Sequence, residues 1–103
     1  MDSKAAAKCL GELGNPTRLE IFRTLVRAGD RGLTIGDVQS RVGIPPSTLA
    51  FHLRALASAD LIAQEKDGRA VWCRPRYDVL REVMEFLSVE CCAGFNDQPP
   101  ACR

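Results

Sequence analysis

Residues 33–62, LTIGDVQSRVGIPPSTLAFHLRALASADLI, decide how this chain folds. Thr34 is suited to cap a short helix, Asp37 falls in the first turn of that helix, and Gly43 ends it. A second helix opens in PPST at 45–48 and runs to about Ser58. Two short helices separated by a glycine-containing turn of a few residues form a helix-turn-helix arrangement. On the second helix Leu49, Leu53 and Leu56 gather on one side. Ser47, Phe51, Arg54 and Ser58 lie roughly opposite, with Thr48 and Ala55 beside them and His52 at the boundary.

Downstream, LIAQEK and RAVWCRP read as two short strands rich in Ile, Val and Trp, joined by Asp67-Gly68, a strong two-residue hairpin signal. Such a hairpin directly behind the helix pair has the place of a wing. The segment YDVLREVMEFLSVECC, 77–92, then sets Leu80, Val83, Met84, Leu87 and Cys91 on one helical stripe, widened by Val79 and Phe86. A helix this apolar at the end of a small domain is expected to pack on a partner as well as on its own core, with Gly94 ending it. Upstream, Ala6, Cys9, Leu10 and Leu13 give a first helix one apolar stripe, weakened by Gly11. Asn15 as cap, Pro16 in the first turn and Gly29 as stop frame a second helix whose Leu19, Phe22, Leu25 and Val26 face the core.

At 103 residues the chain is one domain, near the size at which dimerisation helps to bury apolar surface. Its 46% hydrophobic and 26% charged residues are those of a globular protein, and no long apolar run or leader is visible, so a soluble, cytoplasmic protein without a membrane partner is expected. The net charge of +1 hides an asymmetry. From Arg41 to Arg81, seven basic residues face four acidic ones, which suits a surface turned toward phosphate, although a solvated face would look similar. Five cysteines are an odd number for a disulfide framework, and three of them (Cys91, Cys92 and Cys102) lie within twelve residues.

LGNPTRLEIFRTL at 13–25, STLAFHLRAL at 47–56, ADLIAQEKDGRAVWCR at 59–74 and the helix from Tyr77 together resemble the ArsR family of winged helix-turn-helix metalloregulatory repressors. The resemblance runs from about residue 5 to residue 92, in the family's own order. It implies a mainly α fold with a small β-hairpin, a winged helix-turn-helix dimeric through its first and last helices. Residues 1–92 would form the DNA-binding and dimerisation domain, and 93–103 a flexible cysteine-containing tail. It also implies a homodimer on double-stranded operator DNA with an inverted repeat, released when a ligand binds.

For the DNA surface, Ser47, Thr48, Phe51 and Arg54 are placed to reach bases or phosphate. Phe51 suggests apolar contact with thymine methyls or sugar; its other reading is a ring folded back over the domain. His52 matches a position that supports the helix or reaches phosphate. Lys66 and Arg69 flank the hairpin turn and are expected at backbone or minor groove, or else as solvated turn charges.

Two ligand sites typical of the resembled family are missing. LTIGDV has no cysteines, and the lone histidine is in the second helix of the pair rather than in the last helix. The resemblance to variant arsenic repressors, with a vicinal cysteine pair ending the last helix and a third cysteine beyond, points to Cys91, Cys92 and Cys102. Three thiolates suit a soft centre such as trivalent arsenic or antimony, so arsenite or antimonite would be the inducer and no further cofactor would be required. Cys9 or Cys73 could replace Cys102, or two thiols could bind a methylated arsenical or respond to oxidants or reactive sulfur. Cys9 also reads as packing on its helix stripe, and Cys73 as structural beside Trp72. An enzyme, such as a small thiol oxidoreductase, would need a redox motif or an anion-binding loop that the sequence does not display.

Overall fold

The computed structural model describes residues 1–97. Five helices and three short strands follow in the order α1 (Ser3–Leu13), α2 (Pro16–Ala28), β1 (Leu33–Thr34), α3 (Ile35–Val42), α4 (Pro46–Ser58), β2 (Ile62–Asp67), β3 (Ala70–Pro75) and α5 (Tyr77–Ser88). The winged helix-turn-helix expected from the sequence is therefore the observed architecture.

Local chemistry fixes the helix starts. The Asn15 side chain accepts from the Arg18 amide at 3.0 Å, with Pro16 filling the first turn of α2. Thr34 and Asp37 cap α3 reciprocally: the hydroxyl accepts from the Asp37 amide at 3.1 Å, and the carboxylate accepts from the Thr34 amide at 3.4 Å. Gly43 ends α3 in the left-handed conformation at φ 74°.

The strands form one antiparallel sheet in the order β1-β3-β2. β1 was not foreseen in the sequence; two residues, Leu33 and Thr34, pair with Cys73 and Trp72 and tie the start of α3 to the hairpin. Gly32 makes this approach possible. It has φ +77°, and a Cβ there would collide with the carbonyl oxygen of Cys73. The hairpin turn also differs from the expected one by a residue. Asp67 pairs with Ala70, leaving Gly68 and Arg69 as the loop, with positive φ at Gly68 alone, as in a type II′ turn.

Ile21, Leu25, Val38, Leu49, Leu53, Leu56, Leu61 and Cys73 are the fully buried centre of the core. The leucines of α4 sit there as expected. On α2 the buried set is Arg18, Ile21, Phe22 and Leu25, and Leu19 is 41% exposed instead of belonging to the core stripe. Leu10 of α1 likewise faces outward, while Ala6 and Cys9 are buried.

α5 packs on α1, Val79 and Val83 are its buried residues, and the Tyr77 hydroxyl donates to the Val26 carbonyl at 3.2 Å. Its stripe is only partly covered, because Met84 and Leu87 are about three-fifths exposed, at 60% and 61%. The helix also stops earlier than expected. Ser88 is its last residue, Val89 is extended, and the cysteine pair lies in a turn beyond it. No helix among the described residues is long and apolar enough to cross a membrane.

Candidate functional site

Helix α4 is fixed from beneath by Leu49, Leu53 and Leu56, which leaves Ser47, Thr48, Phe51, Arg54 and Ser58 on its exposed side and Ala55 half-buried. No side chain caps α4, and Pro46 carries no amide hydrogen. The amides of Ser47 and Thr48, at the positive end of the helix dipole, are thus placed beside two hydroxyl side chains. Such a helix start suits contact with phosphate or base edges.

His52 is the one DNA-contact candidate on the inner side. It is 6% exposed, and its Nδ1 accepts a hydrogen bond from Arg18 Nε at 3.2 Å. Burial and the neighbouring Arg18 charge hold its pKa below the usual imidazole value, so the ring is neutral and carries its proton on Nε2. His52 thus lies on the underside of α4, hydrogen-bonded from α2.

Arg18 itself was passed over in the sequence reading. Its Nη1 donates to a Glu12 carboxylate oxygen at 2.6 Å and to the Glu12 carbonyl at 3.4 Å, while its guanidinium carbon lies 5.6 Å from the centre of the Phe51 ring. The signal was its spacing: Arg18, Ile21, Phe22 and Leu25 fall at i, i+3, i+4 and i+7, so a charged residue occupies a core position of α2. The Phe51 ring is 56% exposed and meets His52 edge to face at 5.5 Å. It is neither folded away nor unsupported.

On the wing, Lys66 pairs with Val71 in β3 and Arg69 occupies the turn, both exposed. Arg74 is engaged with Glu65 in an ion pair on the sheet, and the Arg31 guanidinium lies over Trp72, 4.9 Å from the ring centre. The recognition helix and the wing tip thus present Arg54, Lys66 and Arg69 as exposed cations.

The thiols divide into two groups. Cys9 is buried and donates its S–H to the Ala59 carbonyl at 3.4 Å, and Cys73 is buried and accepts from the Gln64 amide at 3.5 Å. Burial pushes both thiols above the ordinary value, which keeps them protonated and poor as ligands at neutral pH. Both are core residues, as their helix and strand positions suggested.

Cys91 and Cys92 are different: they lie near the surface beyond α5, and Cys92 is disulfide-bonded in this structure. After α5, the Cys91 amide donates to the Ser88 carbonyl at 2.9 Å and the Ala93 amide to the Glu90 carbonyl at 3.0 Å. Glu90 and Cys92 adopt positive φ, 61° and 62°, a conformation uncommon for residues other than glycine. Neighbours on a regular helix point about 100° apart, but in this turn the two sulfurs approach to 3.3 Å. With Cys92 reduced, a single soft ion can bridge sulfurs this close. Among the described residues no cluster of three metal-ligating side chains forms, and Cys102 lies outside the described residues.

A family model described as a helix-turn-helix domain matches residues 13–65. The chain is 32% identical over 92 residues to a putative arsenical resistance operon repressor, ArsR2, of Halobacterium salinarum, covering 84% of this chain and 76% of that protein. It is 28% identical over 87 residues to the nodulation protein NolR of Rhizobium meliloti, covering 84% of this chain and 69% of NolR. Among solved structures, an ArsR-like transcriptional regulator from Rhodococcus sp. RHA1 superposes with a TM-score of 0.72 at 26% identity, over 82% of this chain and 77% of that one.

Proposed function

Because this chain belongs to the ArsR family of winged helix-turn-helix transcriptional regulators, we propose that it is a homodimeric repressor of an inverted-repeat operator, released when trivalent arsenic or antimony binds its C-terminal thiolates. The observation that carries this reading is the pair of sulfurs 3.3 Å apart in the turn that ends α5. Once Cys92 is reduced, as in a reducing cytosol, the paired thiolates select soft, thiophilic ions over oxygen-loving ones, and Cys102 would complete a pyramidal three-sulfur set. Three relatives that match over most of the chain are named as transcriptional regulators or repressors, among them a putative arsenical resistance operon repressor.

On the DNA side, Ser47, Thr48, Phe51 and Arg54 enter the major groove while Lys66 and Arg69 of the wing touch backbone or minor groove. Phe51 reads thymine methyls through its exposed ring. A second copy of the chain packs against α1 and α5, covering Leu10, Met84 and Leu87, and so spaces two recognition helices for two half-sites.

The sensor turn continues directly from α5. Drawing its sulfurs onto one ion changes how α5 ends and how it packs on the partner. α5 is tied to α2 through Tyr77 and Val26, and α1 to the end of α4 through Cys9 and Ala59, so a shift in the dimer helices is felt by the recognition helix. Release requires that the ion bind the DNA-free conformation better than the DNA-bound one, a coupling typically worth about 5–150-fold in affinity.

A two-thiol reading, with methylarsenite or an oxidant as signal, has in its favour that the two described sulfurs are already adjacent. Fluorescence anisotropy of the purified protein on its operator, titrated separately with arsenite, methylarsenite, cadmium and peroxide, separates the readings. Arsenite should weaken operator binding by about 5–150-fold. Release by peroxide or cadmium with none by arsenite would overturn the proposal.

A further inference from the structure

Arg18 is only 9% exposed, and a guanidinium so buried normally has partners that explain it. Its partners here lie on two other helices. Glu12 of α1 holds Nη1 at 2.6 Å, His52 of α4 accepts from Nε at 3.2 Å, and the guanidinium carbon lies 5.6 Å from the Phe51 ring centre. The last contact matters because a ring 56% exposed on a helix surface has little else to fix its orientation. Arg18 bounds it on one side and the His52 edge, 5.5 Å away, on another.

We propose that Arg18 is a positioning residue for base readout: anchored to α1 through Glu12, it fixes the Phe51 ring in the orientation that distinguishes thymine by its methyl group. The inference rests on Phe51 being a base contact. A ring already ordered by a cation on its face loses less freedom on binding, so its apolar contact is expressed as selectivity. Lysine is a poor substitute, because a point charge on a flexible stem lacks the planar fork that serves Glu12, His52 and the ring together.

The test uses the full chain and a duplex enriched by the wild-type protein from a random library, with each thymine replaced in turn by uracil. For the wild type, uracil at one or two positions should lower affinity about fourfold, the worth of one buried methyl group. Phe51→Ala should abolish that loss. Arg18→Met should reduce it to below about twofold while leaving the salt dependence of binding unchanged.

A fourfold loss that persists in Arg18→Met and vanishes in Phe51→Ala would overturn the role of Arg18 alone. A salt slope reduced by about one unit, with thymine sensitivity intact, would make Arg18 a phosphate contact and also overturn it. Insensitivity of the wild type at every position would remove the Phe51 reading and this inference with it. Should Arg18→Met fail to fold, Arg18→Lys and Glu12→Gln are judged by the same thymine criterion, each expected to lower the sensitivity without changing the salt slope.

Discussion

Helices α4 and α5 both carry a stripe of large apolar residues, but the chain covers only one of them. Leu49, Leu53 and Leu56 of α4 are sealed beneath the recognition surface, and His52 beside them is hydrogen-bonded from α2. On α5, Val79 and Val83 meet the core while Met84 and Leu87 remain at the surface. The chain thus covers the apolar stripe of α4 by itself and leaves that of α5 partly open. In α4 an apolar side chain contributes to folding; on the proposed dimer, the same kind of side chain in α5 contributes to association.

Truncation breaks this contrast most directly. Leu53→Ala should destabilise the protein by about 2–5 kcal/mol, the range for a fully buried leucine. Leu87→Ala should change the stability of dilute, monomeric protein by no more than about 0.5 kcal/mol. Urea unfolding of both variants measures the difference, and equal losses would erase the distinction between the two helices.

Charge placed on the open half sharpens it. Leu87→Glu should raise the dimer dissociation constant at least about tenfold, roughly 1.4 kcal/mol, with secondary structure unchanged. Sedimentation equilibrium reads this directly.

The covered half carries a smaller, pH-dependent effect. Folding holds His52 neutral with its pKa below the ordinary value. The unfolded chain therefore binds a proton that the native state resists, and stability falls as pH drops below the ordinary imidazole value near 6.5. The melting temperature should fall between about pH 7.5 and 5.5 by more in the wild type than in His52→Gln. A parallel fall in both would show that other groups govern the acid side.

How legible each half was in the sequence follows from the same contrast. Around α3 and α4 the signals are short-range: the Thr34 and Asp37 capping pair, Gly43, and leucines at helical spacing all concern neighbours in the chain. The structure places them as the pattern indicated. β1 could not be read because two residues carry no periodicity, and only pairing with Cys73 and Trp72 makes them a strand. The hairpin shifted by one residue because Asp67-Gly68 suits either register, and only the cross-strand pairing of Asp67 with Ala70 decides between them.

Arg18 was hidden by its charge, although its spacing is that of a core residue, and Leu19 was overvalued because a wheel cannot say which flank of a stripe meets solvent. The end of α5 was unreadable for a different reason. Gly94 was the visible stop signal, yet the backbone turns at Glu90 and Cys92, residues that rarely take positive φ. That turn brings the sulfurs together, and a regular helix continued through 92 would have held them apart.

On the proposed function, DNA binding belongs to α4 and the wing, and sensing to the turn behind α5. Operator binding by a Cys91→Ser, Cys92→Ser double variant, measured by anisotropy with and without arsenite, tests that division most directly. Without arsenite the variant should bind its operator within about twofold of the wild type, as expected for surface substitutions remote from the DNA contacts, and arsenite should no longer release it. Release by arsenite that persists in the double variant would contradict the account.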